Sequence, residues 1–407
     1  MTRLLALAAV GALLGACAPA STTPVQITVL GATSDLHGHI NAAFDEWEKR
    51  SGISVHYETS GDFENVAKSR VTGDKPDLLL FPQPGLLAEF ARQGHLRPLE
   101  VDDAVGRLQP GLSDLGVVDG TRYGLPLSVN VKSLVWYPKK EFDRAGLTVP
   151  RTWDELVALT DRIRVEQKTA PWCVGVQDGG ATGWVATDWI EDVVLSDHGP
   201  AFYDAWASGQ VPFTSPEVRT AFEKFDRLVF SEGNAAGGRQ GALATTFPKA
   251  SDAMFASPPG CWLHKLGSFL IGSLPDNARF GVDYDVFPFP GNGAVSGGGD
   301  SVALVSDRPE ARKALQYMTS AEWFKHSRAH EGGALSAFTD VAPSDYPIPA
   351  DAAVAGVLND ATTFRFDASD RMPGGVGTGV LWKELTAWIG GQSLDATLTH
   401  VDAARGS

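Results

Sequence analysis

An α/β fold with more than one core is the class this sequence predicts, on three observations. Strand and helix patterns alternate from the start of the chain body, as βαβ units do. At 407 residues the chain exceeds the roughly 100–200 residues of one domain, so two or three cores are expected. A second buried-strand pattern with a helix behind it appears near residue 300, far from the first set.

Taken in order, Val25 to Leu30 alternates apolar residues as a half-buried strand does, and Gly31 ends it. Ile40, Phe44 and Trp47 then recur at helical spacing, with Glu46, Glu48, Lys49 and Arg50 on other faces, until Ser51 and Gly52 stop the helix. Ile53 to Tyr57 reads as a second strand. Leu78 to Phe81 is continuously apolar, as a strand covered on both faces should be. Leu86 and Phe90 share a helix that Gly94 closes. The first lobe is therefore expected to hold a parallel sheet. Pro82, Pro84, Pro98 and Pro110 break the chain beyond, and Tyr123 to Asn130 reads as a strand whose polar end leads out of the lobe. Thr152 and Glu155 have the spacing of a capping box ahead of a helix carrying Leu156, Leu159 and Ile163. Trp172 to Phe269 reads as Trp-rich helices between Gly/Pro loops. Gly291 to Gly299 reads as a glycine-rich link into a buried strand at Ser301 to Val305, and a helix with Ala314, Leu315 and Met318 follows.

The first seventeen residues read as an export signal: Arg3 is the positive start, and Leu4 to Leu14 is too short to span a bilayer comfortably. Leu14, Gly15, Ala16 and Cys17 resemble the lipobox of bacterial lipoproteins. That resemblance implies that Cys17 is lipidated and becomes the mature N-terminus, with residues 18–24 as a flexible tether. The alternative is an ordinary secretory signal with an incidental cysteine. Cys173 and Cys261 remain, and an oxidising compartment favours their pairing over two buried free thiols.

Composition narrows the function. Hydrophobic residues at 43% and charged residues at 20% describe a soluble globular protein. The excess of 49 Asp+Glu over 34 Lys+Arg, net -15, argues against a nucleic-acid partner, which needs clustered cations. Eleven Trp raise the expectation of stacking on flat, partly apolar ligands such as sugars, beside the ordinary role of filling cores. Nucleophile-elbow, phosphate-loop and zinc-helix motifs are missing. Gly374 to Gly379 follows Met372 and Pro373 rather than a strand and reads as a flexible loop. His37 and His39 stand without clustered Cys or carboxylate ligands, so no metal and no cofactor is implied. Glu191 and Asp192 invite comparison with a glycosidase acid/base pair, but adjacent carboxylates usually diverge on a helix.

The stretch from Tyr123 to Leu156 is the most specific. Tyr123 to Pro126, Leu134 to Phe142, Ala145 to Leu147 and Thr152 to Leu156 resemble the extracellular solute-binding proteins of ABC importers. The similarity is to the carbohydrate-binding family typified by the maltose-binding protein. Pro171 to Cys173, Thr182 to Trp184, Thr187 to Asp192, Gly260 to His264 and Phe364 to Asp367 most resemble its α-glucoside-binding branch. The resemblance implies a two-lobed periplasmic-binding-protein fold of type II, each lobe a sheet flanked by helices, with the ligand in the cleft between them. The first lobe is then 25–129 plus about 300–338, and the second 130–299 plus about 339–407.

Carried over, that fold puts the loops after the first-lobe strands at the cleft, where α/β sites form. Asp35, Asp62 and Gln83 are the first-lobe candidates, the two aspartates being equally readable as helix N-caps. Asn130 and Asp300 fall at the two crossings. Trp184, Trp189 and Trp262 are the second-lobe stacking candidates, with Asp188, Asp367 and Asp370 as polar partners. A lipid-anchored monomeric receptor is implied, outside the cell membrane or periplasmic, that passes an oligosaccharide to the permease of an ABC importer. No covalent chemistry is required; closure of the hinge around the ligand is the mechanism. The alternatives are a glycerol phosphodiester or polyamine receptor and a secreted glycoside hydrolase.

Overall fold

The computed structural model describes residues 25–32, 38–109, 111–231, 233–373 and 375–406; the export segment and its lipobox lie outside them. Five strands build the first sheet, in the order Ile53–Thr59, Val25–Gly31, Leu78–Phe81, Ser301–Leu304, Gly124–Pro126. The first three are parallel, as the βαβ rhythm predicts, but Ser301–Leu304 runs antiparallel to both of its neighbours. The sheet is mixed because its last two strands carry the chain out of the lobe and back, whereas a helix links the parallel ones. Helix His39–Ser51 buries Ile40, Ala43, Phe44 and Trp47, and Gly52 caps it with its N–H on the Glu48 carbonyl. Trp47 stacks on Tyr317 at 5.1 Å between ring centres. Helix Pro309–Met318 of the returning chain is thus fastened to the first helix.

The second sheet runs Asp285–Pro288, Leu134–Tyr137, Cys261–Lys265, Ala170–Trp172. Against it pack helix Pro216–Phe230 and the long helix Trp184–Ala207, bent at Gly199 and Pro200. Trp136, Trp172, Trp189 and Trp206 are fully buried, so much of the Trp surplus fills this core. The capping box at Thr152 is formed: its hydroxyl accepts from the Glu155 N–H at 3.2 Å, and the Glu155 carboxylate accepts from the Thr152 N–H at 3.3 Å. Cys261 pairs with Ala170 across two parallel strands, and Cys173 and Cys261 are joined by a disulfide with Cα atoms 5.3 Å apart.

A third, four-stranded sheet links the lobes, in the order Leu335–Ser336, Ser128–Val131, Ala294–Gly298, Thr363–Phe366. The expected single strand from Tyr123 to Asn130 is two, parted at Leu127, where the chain leaves one sheet for the next. The Leu127 N–H donates to the Asp300 carbonyl at 2.8 Å, so outgoing and returning chains are bonded at the crossing. The glycine-rich link is not a loop. Gly297 pairs with Val131 on one side and Phe366 on the other, and a Cβ there would lie 2.3 Å from the Asn130 carbonyl. Glycine is needed for this close approach, which composition alone reads as looseness. Gly375–Leu381 likewise winds into a wide π-helical turn continuous with helix Trp382–Ile389, held by buried Val376 and Leu381.

Behind the linking sheet, Asp351 is fully buried. One of its oxygens accepts the Gly333 N–H at 2.7 Å and the other has no hydrogen-bond partner. Burial pushes this carboxyl up to about 7, against the opposing Gly333 bond. The native state therefore holds a proton that the unfolded chain releases above about pH 4. Stability should fall as pH rises from about 4 to about 7, by at most about 1.4 kcal/mol per pH unit from this group. In urea titrations across that range, Asp351→Asn should flatten the slope relative to wild type; parallel curves would contradict the assignment.

Candidate functional site

The two sheet-centred lobes touch where Asp62, Glu64 and helix Pro84–Arg92 meet Gly180, the Ala368–Arg371 turn, Met372 and Thr378. The Thr378 hydroxyl donates to a Glu64 carboxylate oxygen at 2.8 Å. Gly85 occupies the second position of helix Pro84–Arg92, and a Cβ there would lie 2.0 Å from the Met372 carbonyl oxygen and 3.1 Å from that of Asp370. The position Cβ would take at Gly180 is 4.0 Å from Asp62 Oδ1. These contacts bracket the cleft. An alanine at position 85 suits the helix but cannot coexist with the Met372 carbonyl. Gly85→Ala should leave each lobe folded and hold them apart, at a closure cost of about 1–3 kcal/mol. Small-angle scattering should show a larger radius of gyration with unchanged helix content; an unchanged radius would refute the contact.

Half-buried Trp184 opens the long helix on the second-lobe wall. Its indole N–H donates to Asp178 at 2.8 Å, and Phe247 and Phe269 meet its ring edge-on at 5.1 and 5.6 Å. The Lys132 ammonium lies 5.5 Å from its centre. Lys132 follows strand Ser128–Val131, while helix Trp184–Ala207 brings Asp188 and the short helix Ala368–Arg371 brings Asp367 and Asp370. Lys132 Nζ bonds Asp367 closely, donates to Asp188 at 3.1 Å and is 3.7 Å from Asp370. Burial works against this ammonium, yet the charges of Asp188, Asp367, Asp370 and Glu191 outweigh it and hold Lys132 well above its usual range. Burial pushes Asp188 up to about 7, with Lys132 and Lys265 opposing. It also raises Asp370 well above normal, with the Asp367 charge adding to it. Asp367 is also buried, but Lys132, the Ser369 hydroxyl and the Asp370 N–H bring it down to about 2.

The remaining candidates scatter. Asp35 and Cys17 lie outside the described residues. Exposed Asp62 precedes helix Phe63–Arg70 and accepts from the Asn65 side chain at 2.9 Å. Gln83 precedes helix Pro84–Arg92, with Oε1 buried and unpartnered. Asn130 Oδ1 accepts the Gly298 N–H at 3.0 Å, which ties it to the linking sheet. Asp300 is buried, 3.1 Å from the Arg328 guanidinium. Trp189 is 1% exposed, enclosed by Trp172, Phe225 and Phe289. Trp262 is 4% exposed, with its N–H on Thr169. Neither ring offers a face to a ligand, because both fill the second-lobe core.

Glu191 and Asp192 diverge. Glu191 accepts from Tyr203 and from the N–H groups of Ala368 and Ser369; Asp192 accepts from Ser133 and Ser296 and is 2.9 Å from Lys265. Sequence reasoning passed over Lys132, Glu64, Phe247, Phe269 and Thr378. Lys132 alone carried a local signal, a lysine inside the apolar run from Val129 to Tyr137, where a charge persists only when paired.

With this geometry the chain matches the family model of the bacterial extracellular solute-binding proteins over residues 33–323. It is 38% identical to the osmoprotective compounds-binding protein GgtB of Synechocystis, across 93% of this chain and 91% of that one. To the alpha-glucosides-binding periplasmic protein AglE of Rhizobium meliloti it is 35% identical, across 84% of this chain and 78% of that one. The maltose-bound structure of MalE3 from T. maritima shares the fold with a TM-score of 0.74, at 18% identity across 93% and 98% of the two chains. Two sheet-centred lobes, a strand-built link and a cleft between them are thus the type II periplasmic-binding-protein architecture, and the chain belongs to the bacterial extracellular solute-binding protein family.

Proposed function

We propose that this protein captures a neutral sugar, an α-glucoside in the first instance, and delivers it to the permease of an ABC importer while anchored to the membrane through lipid on Cys17. The observation that carries the sugar reading is the half-buried Trp184, Phe247 and Phe269 cluster beside the Lys132 carboxylates. A pyranose ring packs its C–H face on an aromatic surface and turns its edge hydroxyls to polar groups. Asp62, Glu64 and Gln83 meet it from the first lobe, taken as 25–129 plus about 300–338. The similarity to AglE supports the α-glucoside. Carboxylates outnumber cations along this wall, which disfavours a phosphodiester. Glu191 and Asp192 are spent on structural bonds, which disfavours a hydrolase. A second reading, a small osmoprotective solute, is favoured by the similarity to GgtB.

Calorimetric titration with maltose, trehalose, sucrose and longer α-glucans separates these readings. Binding without product, varying weakly with salt because screening acts on charge pairs rather than on stacking, is the expected result. Trp184→Ala should weaken it by about 1–3 kcal/mol. Wild-type affinity in that variant would remove Trp184 from the site, and no heat with any of these sugars would overturn the sugar reading.

A further inference from the structure

Among the described residues Lys132 is the one ammonium within 4 Å of Asp188, Asp367 and Asp370 together, and the group is largely buried. Lys132 is 9% exposed at its side chain, Asp188 2%, Asp367 1% and Asp370 12%. Glu191 and Tyr203 flank it, bonded to each other at 2.9 Å. Lys265 donates to the Asp188 and Lys132 carbonyls, at 3.0 and 3.4 Å, and its charge, 2.9 Å from Asp192, also favours the ionised form of Asp188. Three carboxylates on one cation leave a buried excess of negative charge, which proteins relieve by neutralising a group. One oxygen of Asp188, Oδ2, is buried without any hydrogen-bond partner, whereas an ionised carboxylate in a dry site needs its lone pairs satisfied. The other lobe reaches the backbone of the turn that carries Asp370. Helix Pro84–Arg92 packs on the Ala368–Arg371 turn that carries Asp370, with Gly85 against the Asp370 and Met372 carbonyls.

We infer that the lobes take up a proton into the Asp188, Asp367 and Asp370 group as they close on a solute, and release it as they open. With the first lobe swung away, water reaches the turn bearing Asp370 and all three carboxylates ionise. With it closed, the excess charge is desolvated and one carboxyl is neutral. The raised positions of Asp188, to about 7, and of Asp370 agree with this. A proton bound more tightly by the closed form makes solute affinity fall as pH rises, by up to about tenfold per pH unit for one proton. The window runs from the ordinary carboxylate range, near about 4, to about 7. Acidic surroundings would then favour loading of this receptor and alkaline surroundings its release.

The inference rests on the sugar reading for its probe, and the test keeps the two apart. Trehalose and maltose are titrated calorimetrically between about pH 5 and pH 8, in pairs of buffers that differ in ionisation enthalpy. Affinity that falls with pH, together with a buffer-dependent heat equivalent to about one proton taken up, is the expected result. Asp370→Asn and, separately, Asp188→Asn should each reduce the proton count and flatten the profile. Sugar heat without buffer or pH dependence in wild type would overturn the linkage and leave the sugar reading intact. No heat at any pH would overturn the sugar reading instead. In that case carboxyl carbon NMR of the protein locked shut by a Glu64→Cys, Thr378→Cys cross-link, the pair whose side chains meet at 2.8 Å, compared with its reduced form, decides the proton: a cluster fully ionised down to about pH 5 in the cross-linked form overturns it.

Discussion

Lys132→Met should destabilise the protein by about 3–5 kcal/mol at neutral pH, the cost of leaving buried charge without its partner. The methionine fills nearly the same volume, so the loss is electrostatic rather than a cavity. Asp367 suffers most. It is held down to about 2 with Lys132 as the main opponent of its burial, and it caps the Ala368–Arg371 turn through the Asp370 N–H at 2.9 Å. The deficit should shrink as pH falls toward about 5, because protonation then removes the repulsion that the ammonium had offset. Replacing Asp367 with Asn in the same chain should recover part of the loss. Urea unfolding of the single and double variants at two pH values gives the coupling directly. Equal stabilities of Lys132→Met and wild type at neutral pH would mean that the cluster is hydrated.

Removing the Cys173–Cys261 disulfide, by changing both residues to alanine, should cost about 4.6 kcal/mol. The bond closes a loop across a sequence separation of 88 residues, and the chain-entropy model gives about that value for a loop of this length. Two further features limit what the folded state can recover. Both residues are fully buried, and the bond pins the end of strand Ala170–Trp172 to strand Cys261–Lys265, a parallel pairing that no short turn enforces. The segment between holds the Trp184 wall, so lost stability should appear with weaker sugar binding. Denaturant midpoints of the oxidised wild type and the double variant measure it. A difference below about 1 kcal/mol would place the stabilisation elsewhere.

The sequence by itself determined what local chemistry can write. Alternation at Val25 to Leu30, the continuous apolar run at Leu78 to Phe81, helical spacing through Ile40, Phe44 and Trp47, and the Thr152 capping box each became the element they imply, because each depends on neighbours within a few residues. Two cysteines in an exported chain named their own partner. Tertiary structure decided everything that depends on which distant segments meet. It turned glycine-rich 294–298 into a central strand, since the closeness of the Asn130 carbonyl is invisible in composition. It sent Trp189 and Trp262 into the core and left Trp184 half open, although all three look alike in sequence. It gathered Lys132, Asp188, Asp367 and Asp370 from three separate stretches into one dry group. Burial and pairing, which set the energy of a charge, arise only when the lobes are assembled, and so the electrostatics of the cleft could be read from no single segment of the chain.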